Sequence, residues 1–258
     1  MKKIMISALV ASSLAMAGGD IAPVEPMVET PVVEAASGWQ NEITIYGWYA
    51  GIGGETALGE PSDPSVDASD ILDKLEMVFM GTYAGRGDKW SFYLDLIYLG
   101  LGDSSTRELT IDGVTFDSNI EADIDTWLLN TGVGYNLVNT DSGVLDVIAG
   151  VRYMDLEATV ETNHPRHPGS EASKDFVDFV VGARGSMNIN ENWYVPYVLD
   201  VGAGDSDLTW QAFAGIGYRY DWGDVKLGYR YISYDFDDSM FLKDLDMSGG
   251  VLGVTFKF

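Results

Sequence analysis

Two histidines, His164 and His167, stand three residues apart in NHPRHPGSE, with Glu171 close behind them. Imidazoles at that spacing can ligate zinc or copper. However, Pro165 and Pro168 favour an extended loop, the chain has no cysteine, and no third strong ligand completes a set. No metal site is expected there. Hydrolytic chemistry would need a nucleophile or an activated water beside a general base. Both imidazoles lie in one stretch with no evident serine partner, so no catalytic residue is assigned and the chain is expected not to be an enzyme. Acidic clusters at Glu55, Glu60, Asp63 and Asp67, at Asp112, Asp117, Glu121, Asp123 and Asp125, and at Asp235, Asp237, Asp238, Asp244 and Asp246 offer oxygen ligands to calcium or magnesium. The run DSNIEADID lacks the glycine and ligand order of an EF-hand, and solvated acidic loops are the expectation.

A second set of charges is patterned. LGYRYISYDF (Leu227 to Phe236), GVRYMDL (Gly150 to Leu156) and IGYRYDW (Ile216 to Trp222) each set an arginine inside an otherwise apolar or aromatic run. Asp95, Asp146, Arg152, Asp178, Arg184, Asp200, Arg219 and Arg230, together with Lys226 and Lys257, share the parity opposite to the large apolar residues of their segments. Arginine forks bind carboxylates bidentately, and an unpaired charge in a confined interior is costly. A network of arginine and aspartate pairs is therefore expected, with Asp95, Arg152, Asp200 and Arg230 at one level and Asp146, Arg184 and Arg219 at another. Neighbouring glycines, including Gly150, Gly182, Gly217 and Gly228, are expected to leave room for guanidinium groups.

Such a network needs elements with a period of two. In AFAGIGYRY, Ala212, Ala214, Ile216, Tyr218 and Tyr220 fall on one face and Phe213, Gly215, Gly217 and Arg219 on the other. Ten segments of this kind are predicted, at 41–54, 74–86, 89–103, 119–138, 143–160, 174–188, 192–204, 207–221, 223–236 and 245–258. Short turns at 85–88, 139–143, 188–192 and 222–224 alternate with longer connections at 57–73, 104–118, 161–173 and 237–244; the link at 204–207 is tight on the long side. Alternating rims and an even strand number describe a transmembrane antiparallel up-and-down β-barrel of about ten strands, with eight or twelve as alternatives.

Aromatic positions carry an independent signal. Trp90 and Tyr98, Trp127 and Tyr135, and Trp210 and Tyr218 are each eight residues apart on one face, and Trp193 sits at the start of its segment. Eight residues span roughly 26 Å of strand, or roughly 20 Å of height at a tilt near 40°, close to the apolar band between the aromatic girdles of a membrane barrel. The last residues, LGVTFKF, place Leu252, Val254, Phe256 and Phe258 on one face. They resemble the terminal strand signal read by the outer-membrane barrel assembly machinery.

The chain's beginning fits export. MKKIMISALVASSLAMA (1–17) has a basic start, an apolar stretch and a small-residue end, as in a cleaved signal peptide. Residues 18–40, acidic and rich in proline, read as a flexible periplasmic segment, leaving 41–258 as the barrel. A formal net charge of −25 argues against nucleic acid as a partner.

From residue 41 onward the chain resembles a family of small Gram-negative outer-membrane β-barrel proteins, within the outer membrane protein A and opacity-like superfamily. The resemblance rests on ITIYGWYAGIGGE, on DILDKLEMVFMGTYAGRGDKWSFYLDLIYLGL, on GVRYMDLEA and on DVGAGDSDLTWQAFAGIGYRYDWGDVKLGYRYISYDFDD. It implies the outer membrane as location, and no reaction, cofactor or ligand. The expected partners are outer-membrane lipid, lipopolysaccharide reached through divalent cations at the acidic loops, and the assembly machinery. The expected role is a non-enzymatic structural or surface-interaction protein whose lumen is plugged by its own polar network; a narrow small-solute channel and a loop-based adhesin are the alternatives.

Overall fold

The computed structural model describes residues 38–53, 67–111, 114–164, 167–236 and 243–258, with side chains left aside at 105–122, 160, 162–164 and 167–168. The predicted signal peptide, nearly all of the proline-rich segment, and the acids Glu55, Glu60, Asp63, Asp112, Asp237 and Asp238 lie outside the described residues. The strands are β1 (Gln40–Gly53), β2 (Leu75–Arg86), β3 (Trp90–Ile111), β4 (Val114–Thr140), β5 (Gly143–His164), β6 (His167–Asn188), β7 (Trp193–Gly204), β8 (Leu208–Tyr220), β9 (Gly223–Asp235) and β10 (Asp244–Lys257); one short helix, α1 (Ala68–Asp73), precedes β2. Each strand pairs antiparallel with its neighbours in sequence, and β10 pairs with β1 to close a ten-stranded barrel.

Closure leaves no sheet edge in the wall below the upper rim, so the backbone bonds of that wall are satisfied internally. The seam is sealed to its end by reciprocal bonds between Asn41 and Phe258, each backbone N–H donating to the other's carbonyl. Both ends of the wall meet at the rim of short turns, here called the lower rim. Gly143 and Gly223 close two of those turns with φ of 151° and 156°, values that disfavour any residue with a Cβ.

Strand parity follows the prediction. Leu252, Val254 and Phe256 face outward on β10, while Met247, Val251 and Thr255 face the lumen. On β9, Leu227 and Tyr229 are exposed outward and Arg230 is buried inward. The outer wall thus carries large exposed apolar side chains and the interior carries the charges, the reverse of a soluble protein.

Two predicted loops are strand instead. Residues 104–118 and 161–173 were expected to be connections, but β3 runs to Ile111 and pairs there with Val114, and β5 runs to His164, which pairs with His167. Polar residues on both faces hide the period of two in these stretches, although Thr106, Thr110, Ile111, Val114, Thr115 and Ile120 favour strand. Asp117, Glu121, Asp123 and Asp125 therefore lie on β4, and neither histidine sits in a broad loop. Strands β3 to β6 have 22, 27, 22 and 22 residues against 12 to 14 in the other six. Strand β2 stops opposite Leu101 and β7 stops opposite Asp178, so the four long strands project past the upper rim as one sheet. The ten residues beyond Leu101, ending at Ile111, make this projection roughly 33 Å along the strand.

Candidate functional site

The lumen has three levels, each set by inward positions on successive strands. The middle level is a belt of hydrogen bonds. Asp95 on β3 accepts from Arg230 Nη2 (2.8 Å), Tyr46 Oη (2.7 Å) and Thr82 Oγ1 (2.9 Å). Arg230 also donates to Gln211 Oε1 from Nε and Nη2, and Gln211 Nε2 passes the chain on to Asp200 (3.1 Å). Asp200 accepts in turn from Arg152 Nη2 at 2.5 Å, while Arg152 Nε reaches Asn130 and Nη1 reaches Thr209, both at 2.7 Å. The belt draws on eight of the ten strands, leaving out β6 and β10. Two ion pairs anchor it, Asp95 with Arg230 and Asp200 with Arg152. All four of those residues were expected at one level.

Above the belt the interior is apolar, which sequence parity did not indicate. Trp48, Met80, Ile97, Leu128, Met154 and Phe176 pack with Ile232, Tyr234, Phe236, Leu245 and Met247, and Val251 continues the cluster down to the chamber below. These side chains share the inward parity of the charges, so an expectation of a uniformly polar lumen is corrected. A long side chain near the upper rim has neither lipid nor bulk water beside it, and packing against its opposite neighbours removes it from water. The Arg230 guanidinium stacks on the face of the Trp48 ring, 5.1 Å from Cζ to the ring centre, and this contact joins the two levels.

Below the belt is a chamber of about 670 Å³ that reaches the lower rim. Its roof includes Asp95, Asp200, Gln211 and Arg230, and its mouth includes Gln40, Arg86, Lys257 and Phe258. Near the mouth, Arg86 forks onto both oxygens of Asp146 (2.9 and 2.7 Å), which also accepts from Ser91 and Asn136. Lys257 holds Asp224 at 2.8 and 2.7 Å, and Tyr194 Oη completes that group. Lys226 stands 4.0 Å from Glu42.

Three of the expected network members are placed otherwise. Arg184 is not paired with a carboxylate; its guanidinium carbon lies 4.9 Å from the centre of the Tyr93 ring. Arg219 donates to Asn188 Oδ1 and to the Glu191 carbonyl, and covers the Tyr194 ring at 4.2 Å. Asp178 accepts the Ser206 backbone N–H at Oδ1, while its Oδ2 has no hydrogen-bond partner; no arginine forks onto it. Asp146, expected at one level with Arg184 and Arg219, lies across from Arg184 in the strand register but is held by Arg86. The physical reason is lateral: the register fixes height, but a ring lying flat on the wall captures a guanidinium before it reaches an acid.

The glycines explain how the rings lie flat. A Cβ on Gly150 would collide with the Thr131 carbonyl and stand 2.9 Å from Tyr93 Oη, and one on Gly217 would enter the Tyr194 ring. The space these residues leave is filled by aromatic rings rather than, as expected, by the guanidinium groups themselves. The arginines then stack on those rings.

On the outer wall the predicted aromatic positions meet as pairs across strands. Trp90 packs with Tyr135 (centroids 5.2 Å) and Trp193 with Tyr218 (4.8 Å) near the lower rim; Tyr98 packs with Trp127 (4.5 Å) and Trp210 with Tyr231 (4.6 Å) higher up. Trp222 extends the lower tier toward Phe256 on β10.

Above the upper tier, Lys74 and Asp103 form an exposed pair at 2.8 Å, which holds the Asp103 carboxyl below and the Lys74 amine above their ordinary ranges. No group of three or more metal-ligating side chains occurs among the described residues.

No protein-family model matches the sequence, and no curated protein matches it. Some solved structures are similar to it over most of their length. The outer membrane protease OmpT of Escherichia coli is 10% identical with a TM-score of 0.47, over 85% of this chain and 97% of that one. The translocator domain of the autotransporter NalP from Neisseria meningitidis is 13% identical with a TM-score of 0.45, over 88% and 90%. Ail, the attachment invasion locus protein of Yersinia pestis, solved with the heparin analogue sucrose octasulfate, is 11% identical with a TM-score of 0.39, over 86% and 99%. At these values the assignment of fold and site rests on the closed strand order and the lumen described above.

Residues that sequence reasoning passed over are the neutral members of the belt and the cation at the mouth. Tyr46, Thr82, Asn130, Thr209 and Gln211 share the inward parity, and that parity was the available signal. Arg86 is the last residue of β2, beside a turn, where parity is weakest.

Proposed function

We propose that this chain is a non-enzymatic outer-membrane barrel with a sealed lumen, which holds the projecting β3–β6 sheet at the cell surface. The observation that carries the reading is the continuous belt from Asp95 through Arg230, Gln211 and Asp200 to Arg152, roofed by the apolar packing around Trp48, Leu128 and Tyr234. Together they support a lumen closed at both levels. An apolar outer wall between two tiers of aromatic pairs supports membrane insertion, because such rings favour the headgroup levels on either side of the hydrocarbon. In that orientation the lower rim faces the periplasm and the long sheet faces outward.

The acidic projection, with Asp123 and Asp125 on β4, supports contact with lipopolysaccharide or with other surfaces. Leu252, Val254 and Phe256, outward on β10, fit a role as the assembly signal. The lumen charges act as braces in this reading: Asp95–Arg230, Asp200–Arg152 and Arg86–Asp146 each join strands that are not neighbours in the wall and hold its cross-section. Vesicle swelling tests it. Liposomes carrying the refolded barrel should swell in small sugars no faster than protein-free liposomes, and protease added to whole cells should cut the projecting sheet while sparing the barrel. Porin-like swelling, or recovery of the chain in a soluble fraction, would refute the proposal.

A further inference from the structure

Six of the chain's 15 basic residues line the lower chamber, in a protein whose formal charge is −25. Three of them, Arg86, Arg230 and Lys257, are matched by Asp146, Asp95 and Asp224. Lys226 has one carboxylate within 4.0 Å among the described residues, that of Glu42, with Asp224 farther off. Arg184 and Arg219 have no carboxylate partner among the described residues. The case of Arg184 is the sharper one: its guanidinium packs on the face of the Tyr93 ring, and the N–H donors around its edge find no hydrogen-bond acceptor among the described residues. From β6 the side chain crosses to a ring on β3, inside the chamber rather than out at the rim.

We infer that this chamber binds a small organic monoanion, a carboxylate on an apolar or aromatic body, entering from the lower rim. The planar fork of arginine matches a carboxylate in geometry. Asp95 and Asp200 in the roof and Glu42 in the wall oppose a second negative charge, which favours a monoanion over a phosphate. Ile148, Val198, Phe213 and Val251 supply apolar surface for the body of the ligand. The volume of about 670 Å³ falls within the range of small-molecule sites. Arg184 is assigned the headgroup, and Arg219 and Lys226 the attraction that draws the anion past the mouth.

This inference rests on the sealed-lumen reading for its roof, and the test separates the two. The full chain in nanodiscs of zwitterionic lipid is titrated calorimetrically with 2-naphthoate and with the neutral 2-naphthamide, with empty nanodiscs subtracted. The expected result is one saturable naphthoate site, bound at least tenfold more tightly than the amide, with the preference lost in Arg184→Gln. On the wild-type protein, naphthoate should also slow chemical labelling of the Lys226 amine and leave that of the exposed Lys74 unchanged, a readout that does not depend on the variant's folding. Equal uptake of both probes, or Lys226 labelling indifferent to naphthoate, would overturn the inference even if the barrel proves impermeable. A conducting barrel that still binds naphthoate would refute the seal alone.

Discussion

Arg152 is the residue whose removal should be felt most. It is 1% exposed and makes three hydrogen bonds, to Asn130, Thr209 and Asp200, the last an ion pair with a carboxylate 4% exposed. In Arg152→Met the new side chain is close in length, so little volume is lost. Asp200 keeps only the Gln211 amide and becomes a nearly uncompensated buried charge. The neutral bonds are worth about 0.5–1.5 kcal/mol each, and orphaning a buried charge costs about 3–5 kcal/mol in total. We expect that larger loss in urea-driven unfolding from thin phosphatidylcholine vesicles, followed by tryptophan fluorescence. The double variant Arg152→Met/Asp200→Leu removes the orphan and should recover part of it, leaving about 2–3 kcal/mol for the lost Asn130 and Thr209 bonds and the stranded Gln211 amide. A loss below about 1 kcal/mol in the single variant, or a double variant less stable than the single, would refute the claim that the belt braces the barrel.

Other perturbations test neighbouring parts of the account. Arg86→Gln breaks a fork at the chamber mouth, but Ser91 and Asn136 still satisfy Asp146, so the same unfolding assay should show a smaller loss of about 1–2 kcal/mol. Leu252→Arg places a charge on the exposed outer wall at mid-height of β10 and should cost about 2–4 kcal/mol in bilayers; no loss there would count against a lipid-facing wall. Gly150→Val should prevent formation of the heat-modifiable folded band in gels, since its side chain would strike the Thr131 carbonyl and the Tyr93 ring on a rigid sheet. The Lys74–Asp103 pair exists above the lowered Asp103 pKa and is lost as pH falls through it; being fully exposed and screened, it predicts superimposable melting of Lys74→Gln and the parent at neutral pH.

The wall was readable from the sequence to within a residue or two wherever one face meets apolar surroundings and the other meets the lumen. Strand β9, predicted at 223–236 and found at Gly223–Asp235, shows why: Leu227 and Tyr229 alternate with Gly228 and Arg230, and a register slip would invert them. The alternation vanishes at the upper ends of β3 to β6, where polar residues fall on both parities and a period of two does not mark strand. Within the lumen, parity and counting from the turns put Asp95, Arg152, Asp200 and Arg230 at one level, which is a matter of height along the strand. Which acid meets which arginine depends on distance across the barrel, and no local pattern encodes that. Arg184 and Arg219 show the limit: Tyr93 and Tyr194, laid flat by glycines on neighbouring strands, intercept them. The apolar upper lumen was hidden for a related reason, because Met80, Met154 and Phe176 carry the same parity as the charges.

The central claim is that the interior is sealed, and planar-bilayer recording on purified, refolded barrel tests it most directly. The belt and the packing above it predict a flat baseline at voltages of either sign. Reproducible unitary conductance from the intact barrel would contradict the account.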